Sequence, residues 1–135
     1  MIRALRMTYV AFLATALSAC ASQGKPQLTL DEQLQKRDYE IVKPVERIQN
    51  YNLMGWNSLD RNHLIIQSAP SRAYLVTLKQ PCYNLRSAET IGITNTAGTV
   101  TLFDSVLVNE RPTGYLERCW IENLQELKQT RDRNA

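Results

Sequence analysis

From residue 45 onward the chain consists of short runs of β-forming residues that are separated by residues typical of turns. The runs cover residues 53–59, 63–67, 73–78, 90–94, 99–103, 105–109 and 116–123. Three of the intervals, at residues 60–62, 95–98 and 110–114, carry the Asp, Asn, Gly and Pro residues that favour hairpin turns. Short strands at this close spacing predict a mainly β domain, either a small antiparallel barrel of the OB-like or SH3-like kind or a strongly bent sheet.

A short helix is predicted to precede the strands and to begin after Thr29. Thr29 and Glu32 have the spacing of a capping box, and Asp31 and Glu32 place negative charge in the first turn. The helix must end before Pro44, because proline disfavours the α conformation in the residue before it. Three apolar residues would lie along one side of this helix: Leu30, Leu34 and Ile41. We expect that side to cover an open end or edge of the barrel.

Two further helical pieces are expected near the other end of the chain. Residues 82–88 are predicted to form one helical turn. Leu124, Leu127 and Lys128 have helical spacing, which predicts a frayed terminal helix.

The amino terminus has the composition of an export signal. Arg3 and Arg6 make residues 1–7 basic, and residues 8–17 form an apolar run of ten. A helix of ten residues rises only about 15 Å, half the hydrocarbon thickness of a bilayer, so this run is too short to span a membrane. A buried amphipathic helix is the alternative, but the run has no polar face.

The next four residues, Leu17-Ser18-Ala19-Cys20, resemble the lipobox of bacterial lipoprotein precursors. The resemblance implies that the Cys20 thiol receives a diacylglycerol and that a dedicated peptidase cuts between Ala19 and Cys20. The new amine is then usually acylated with a fatty acid such as palmitate, and two or more chains give stable membrane anchoring. Cleavage at Ala19 by the ordinary secretory peptidase is the competing interpretation.

Residues 20–28 follow as a polar stretch interrupted by Gly24 and Pro26, which is typical of a flexible tether. In Gram-negative lipoproteins, an aspartate directly after the cysteine retains the protein in the inner membrane. Ala21 and Ser22 carry no such signal, so the resemblance implies the periplasmic leaflet of the outer membrane rather than the inner membrane. Residues 29–128 then form a single globular domain, and residues 129–135 form a polar tail.

The three cysteines can all be accounted for under this interpretation. Cys20 carries the lipid, which leaves Cys82 and Cys119 as a pair in an oxidising compartment where disulfides persist. We therefore predict a Cys82–Cys119 disulfide. Two buried free thiols that pack as small hydrophobic groups are the alternative.

The charge of the folded part is close to balanced. The chain has 16 basic and 13 acidic residues, and Arg3 and Arg6 belong to the export signal, which leaves 14 basic against 13 acidic side chains. This balance gives no electrostatic case for binding nucleic acid, and no polybasic patch for a membrane surface.

The residues needed for common catalytic machinery are sparse. His63 is the single histidine, and no Gly-x-Ser-x-Gly elbow accompanies it. No set of three or four closely spaced ligands predicts a metal site, and no glycine-rich loop predicts a phosphate or cofactor site. We therefore expect no metal, no cofactor and no catalytic residue.

Four carboxylates leave an enzymatic alternative open, because two acids can form the catalytic pair of a glycosidase. They are Asp60, Glu89, Asp104 and Glu110. Each lies at a strand end or turn, where acids commonly serve in solvation or capping. Asp104 is expected to accept hydrogen bonds from backbone donors at a bend.

Aromatic residues supply the candidate binding surface. Trp56 and Tyr74 favour the core, where aromatic residues of β-rich domains usually pack. For Tyr115 and Trp120 a core position and a groove for a glycan or peptide are about equally favoured, and Tyr83 is a further groove candidate. Trp120 should point away from its neighbours Cys119 and Ile121 on a strand. Tyr115 and Trp120 are therefore the possible binding residues.

The mature part also resembles an uncharacterised family of small proteobacterial lipoproteins that is classed as a domain of unknown function. The residues that carry this resemblance are Trp56, Leu59-Asp60, Ala73-Tyr74-Leu75, Leu78, Pro81-Cys82, Leu85, Ile91-Gly92-Ile93, Phe103-Asp104 and Cys119-Trp120-Ile121. The resemblance covers residues 48–124. It implies a shared fold and the cysteine pair, and no activity.

Three functions follow as hypotheses. The first is a non-enzymatic periplasmic module, lipid-anchored at the outer membrane, that binds an envelope protein, peptidoglycan or glycan. The second is a structural or assembly accessory of a larger envelope complex. The third is an enzyme that uses a carboxylate site.

Overall fold

The computed structural model describes residues 24–110 and 112–131. The lipobox, with Ala19 and Cys20, and the last four residues lie outside the described part. Helix α1 spans Leu30–Gln35, and a 3-10 turn spans Leu85–Ser87. The strands are β1 (Tyr39–Val45), β2 (Arg47–Ile48), β3 (Gly55–Ser58), β4 (His63–Ala69), β5 (Arg72–Leu78), β6 (Ile91–Ile93), β7 (Val100–Thr101), β8 (Ser105–Glu110) and β9 (Tyr115–Gln129).

Seven strands form one antiparallel sheet that curls strongly into half of a barrel. The strand order is β3-β4-β5-β9-β8-β6, and β1 pairs additionally with β9. Strands β2 and β7 pair with each other as a separate two-stranded sheet. The prediction of a mainly β domain with a bent antiparallel sheet and a short helix is confirmed, whereas the OB-like or SH3-like topology stays a prediction.

The long strand β9 organises the sheet. Residues 115–120 of β9 pair with β8, residues 121–127 pair with β5, and residues 124–129 pair with β1. The register against β5 shifts between Thr77 and Leu78, which leaves Glu122 as an extra residue on β9. Such a bulge bends the strand and increases the local twist, and it helps the sheet to curl.

The inner face of the curled sheet carries the larger hydrophobic core. Leu64 and Ile66 of β4, Val76 and Leu78 of β5, and Ile121 of β9 are almost completely inaccessible to solvent. Tyr51 packs against this core, and its partial burial raises its pKa to about 12 because burial disfavours the charged phenolate.

Helix α1 covers part of the outer face of the same sheet. Leu34 of the helix packs with Ile65 of β4, Ala73 and Leu75 of β5, and Leu127 of β9. The predicted capping box is confirmed, because the Glu32 amide donates to Thr29 Oγ1 (3.3 Å) and the Thr29 amide donates to Glu32 Oε2 (2.8 Å). The helix therefore covers a sheet face, where an edge or open end was expected.

The helix is also shorter than expected, because residues 39–45 form strand β1. Pro44 is tolerated there because β1 pairs on one side only, with β9, within the part of the chain that the structure describes. Ile41 nevertheless packs against the cluster around Leu34, as predicted, but it does so from β1.

The predicted terminal helix is wrong, because residues 124–128 continue strand β9. Leu124 packs into the inner core, whereas Leu127 packs beneath α1 on the outer face. Leu124 and Leu127 are three positions apart and therefore face opposite sides of the strand, and their burial on both faces gives a spacing that imitates a helix.

Two of the three predicted hairpins are confirmed, between β3 and β4 and between β8 and β9. Residues 95–98 do form a tight turn, in which Thr96 and Thr99 exchange two backbone hydrogen bonds and Ala97 and Gly98 have positive φ. The flanking strands diverge after that turn, since β6 pairs with β8 and β7 pairs with β2.

Among the described residues, no helix has the length and apolar character that a membrane span requires.

Candidate binding cleft

A disulfide between Cys82 and Cys119 joins the segment after β5 to strand β9. The two Cα atoms are 5.8 Å apart, within the usual range for a bridge. The Cys82 amide also donates to the carbonyl of Arg61 (2.8 Å), which ties this segment to the β3–β4 turn. The structure confirms the predicted pairing.

Glu117 reinforces the same junction. Its carboxylate accepts hydrogen bonds from the amides of Tyr83 (2.9 Å) and Asn84 (3.0 Å), and from the Asn84 side chain (3.0 Å). The 3-10 turn Leu85–Ser87 follows directly, which confirms the predicted helical turn in residues 82–88. Sequence reasoning missed Glu117, although the alternation of a strand places it on the same side of β9 as Cys119.

An open cleft of about 410 Å³ lies between the segment at residues 79–83 and β9. We call it the aromatic cleft. The residues that line it are Lys79, Gln80, Pro81, Tyr83, Glu117, Arg118, Cys119 and Trp120. Trp120 is 48% exposed and Tyr83 is 68% exposed, so both rings are accessible to a ligand.

Each of these two rings has a guanidinium group beside it. The Arg118 guanidinium carbon lies 5.5 Å from the centre of the Trp120 ring, and Arg61 lies at the same distance from Tyr83. Arg118 Nη1 also donates to the hydroxyl of Ser105 (3.4 Å), which holds the side chain in place. The aromatic cleft thus combines apolar ring surface with positive charge.

The structure confirms that Trp120 points outward but separates it from Tyr115. The register of β9 against β8 is regular over residues 115–120, so residues five positions apart face opposite sides of the strand. Tyr115 is 66% exposed at the β8–β9 turn. Tyr83, which had been only a further groove candidate, is the aromatic residue that shares a cleft with Trp120.

Trp56 and Tyr74 are partly buried and pack against the inner core, as predicted.

His63 lies at the start of β4, where its Nδ1 is 2.9 Å from both carboxylate oxygens of Asp60. Asp60 Oδ1 also accepts hydrogen bonds from the amides of Asn62 (2.7 Å) and His63 (2.8 Å). This arrangement closes the β3–β4 turn.

The four candidate carboxylates lie in several different turns. Asp104 accepts hydrogen bonds from the Thr101 amide (2.8 Å) and the Thr94 hydroxyl (2.9 Å), which confirms its predicted capping role. Glu110 lies at the other end of β8, about 20 Å from Asp104 along the strand. Glu89 lines a small polar cleft of about 210 Å³ with Asn84, Ser87, Thr90 and Asn109.

Cys82, Glu117 and Cys119 place three potential metal-binding atoms within 4.8 Å of one another. The two sulfurs are bonded to each other, and a metal ligand must be a thiolate. The Glu117 carboxylate already accepts three hydrogen bonds. The donor chemistry of this group therefore fits the disulfide junction and does not fit a metal site.

The fold and the cleft define a small disulfide-linked β domain with an open aromatic cleft on its surface. The chain belongs to the family of unknown function DUF6491, whose model matches residues 3–135. This match confirms the resemblance to an uncharacterised family. No curated protein and no solved structure matches the chain.

Proposed function

We propose that this protein is a non-enzymatic, lipid-anchored periplasmic module that binds peptidoglycan in the aromatic cleft. The observation that carries the proposal is the pair of exposed rings, Trp120 and Tyr83, at one cleft with Arg118 beside Trp120. Sugar rings stack on aromatic faces, and the peptide carboxylates of peptidoglycan pair with basic groups. Lys79 and Arg118 supply that positive charge at the cleft.

The hydrogen bonds of the acidic residues support a binding role over catalysis. Glu117 of the cleft accepts three hydrogen bonds, and Asp60 and Asp104 each close a turn. A glycosidase needs two carboxyl groups that flank one bond, within about 5–10 Å of each other. Asp104 and Glu110, at opposite ends of β8, are farther apart than that.

The four-position match to the lipobox supports the proposed anchor on Cys20. The family model begins at residue 3, so the family pattern includes this segment. We propose the periplasmic leaflet of the outer membrane as the location, because Ala21 and Ser22 lack the aspartate that favours the inner membrane.

Substitution of Ala21 by Asp tests this location. The Ala21→Asp variant is expected to move from outer-membrane to inner-membrane fractions on a sucrose gradient, and Ala21→Asn serves as a control without the charge. An unchanged distribution of the Asp variant would mean that position 21 does not set the location.

Substitution of Trp120 tests the cleft. Trp120→Ala is expected to weaken cosedimentation of the protein with isolated sacculi by about tenfold, since the ring supplies the main stacking surface. Phe103→Ala is the matched control, because Phe103 is 89% exposed and does not line the cleft. Equal binding by the two variants would exclude the cleft as the peptidoglycan site.

A structural or assembly accessory is the second candidate. Phe103 and Leu116 favour it, because they are 89% and 55% exposed and can serve as protein contacts. In that case Phe103→Ala, and not Trp120→Ala, should reduce the amount of the protein that is recovered in crosslinked envelope complexes.

A further inference from the structure

Three basic side chains lie together where the tether enters the domain. Lys25 and Arg86 line one cleft with residues 26–28, and Arg86 and Arg61 line a neighbouring cleft with Gln27. We call Lys25, Arg61 and Arg86 the basic face. All three are exposed, although they come from three separate parts of the chain.

The nearly balanced charge of residues 20–135 gives no indication of this face. No acidic residue lines either of the two clefts among the described residues. Asp60 is adjacent to Arg61 in the chain, but its carboxylate is already hydrogen-bonded to the His63 ring and to two amides of the β3–β4 turn. Glu32 of α1 is hydrogen-bonded to the Thr29 amide (2.8 Å). The basic face therefore projects positive charge into solvent.

The length of the tether limits how far this face can lie from the membrane. Lys25 lies five positions after Cys20, and an extended chain spans at most about 3.5 Å per residue. A lipid on Cys20 therefore holds Lys25 within about 18 Å of the bilayer surface. Arg61 and Arg86 remain near it, because Arg86 lines one cleft with residues 25–28 and Arg61 lines the neighbouring cleft with Gln27 and Arg86.

We propose that the basic face docks onto the phosphate groups of anionic phospholipids in the membrane that holds the lipid anchor. Positive charge complements these headgroups, and the short tether already provides the proximity. This docking rests on the proposed function, because the anchor on Cys20 supplies the proximity. Docking would orient the domain so that residues 25–28 face the bilayer. Arg72, at the start of β5, would then face the periplasm.

Covalent footprinting of arginine tests the orientation. The mature full-length protein is added to vesicles of phosphatidylcholine alone and to vesicles of equal parts phosphatidylcholine and phosphatidylglycerol, and then treated with phenylglyoxal. On the anionic vesicles, labelling of Arg61 and Arg86 is expected to fall by about fivefold relative to the neutral vesicles. About 1 M salt should restore it, because the Debye length is then only about 3 Å.

Arg47 and Arg72 are the internal controls. They are exposed and line a common cleft, and Arg72 begins β5 at the end away from the β3–β4 turn, about 17 Å along the strand. Their labelling should be equal on both vesicles.

Two double variants give a second measurement, in which the extent of chemical acylation of Lys25 is compared between anionic and neutral vesicles. Arg61→Gln with Arg86→Gln should abolish the protection of Lys25 on anionic vesicles. Arg47→Gln with Arg72→Gln should retain it. Both proteins should stay folded, because all four side chains are exposed, although Arg61→Gln also removes the contact of that guanidinium with the Tyr83 ring.

Cosedimentation separates the two ways in which the proposal can fail. If the protein does not cosediment with neutral vesicles, the proposed lipid anchor is absent, and the docking proposal fails with it. Retained cosedimentation with equal labelling of Arg61 on both vesicles would overturn the docking alone. Protection by isolated sacculi or envelope protein, and by neither vesicle, would likewise overturn it and assign the face to that partner.

Discussion

Removal of the Cys82–Cys119 disulfide is expected to lower the melting temperature of this protein by roughly 20 °C. The bridge closes a loop with a sequence separation of 37 residues, for which the chain-entropy model gives about 4 kcal/mol of stabilisation. Domains of this size are typically stable by about 5–15 kcal/mol, so the bridge supplies a large share. Cys82 is fully buried, so its removal also affects the packing of the inner core.

The melting temperature should be measured with and without reductant for the unmodified protein and for the Cys82→Ala/Cys119→Ala variant. Reductant should lower the melting temperature of the unmodified protein and leave that of the double variant unchanged. A thiol count on the denatured, unreduced protein provides a direct check, and two free thiols would refute the bridge.

The same bridge also shapes the aromatic cleft. Cys119 lies between Arg118 and Trp120 on β9, and Cys82 lies between Pro81 and Tyr83. Loss of the bridge therefore leaves the hydrogen bonds of Glu117 and of the Lys79 amide to hold the two walls together. Binding to sacculi should weaken in the double variant even at temperatures where it stays folded.

Cys20→Ala is expected to abolish incorporation of a fatty-acid probe and to release the protein from membranes or leave its precursor uncut. The expectation follows from the lipobox match, since the proposed diacylglycerol would be attached to the Cys20 thiol and burial of acyl chains contributes about 0.8 kcal/mol per methylene. The Cys82→Ala/Cys119→Ala variant is the control and should retain the label. Equal label in Cys20→Ala and in the unmodified protein would contradict the lipoprotein assignment.

The sequence located most strands because turn residues separate them. Asp60 at the β3–β4 turn and Gly114 at the β8–β9 turn mark connections that the structure contains. Strand β1 was missed because Pro44 was interpreted as the end of a helix. The second half of β9 was missed because Leu124 and Leu127 contact different cores on opposite faces.

The candidate site was predictable only in part. Cys82 and Cys119 follow from the cysteine count, and the outward orientation of Trp120 follows from strand alternation. The partnership of Trp120 with Tyr83 depends on the disulfide bringing residues 79–83 beside β9, which a local pattern does not contain. The basic face depends in the same way on the meeting of three distant segments, which carry Lys25, Arg61 and Arg86.

The position of β9 in the sheet has a consequence for folding during synthesis. This strand of 15 residues pairs with β1, β5 and β8, yet it comes last among the strands of the described residues. The Gln129 side chain donates to the Tyr39 hydroxyl across a sequence separation of 90 residues. Such non-local pairing forms slowly, and it requires the carboxyl-terminal part of the chain to be present. A chain still emerging from the ribosome therefore cannot complete this sheet. Under the proposed export, such a chain could still pass unfolded through a translocation pore until the last strand has been made.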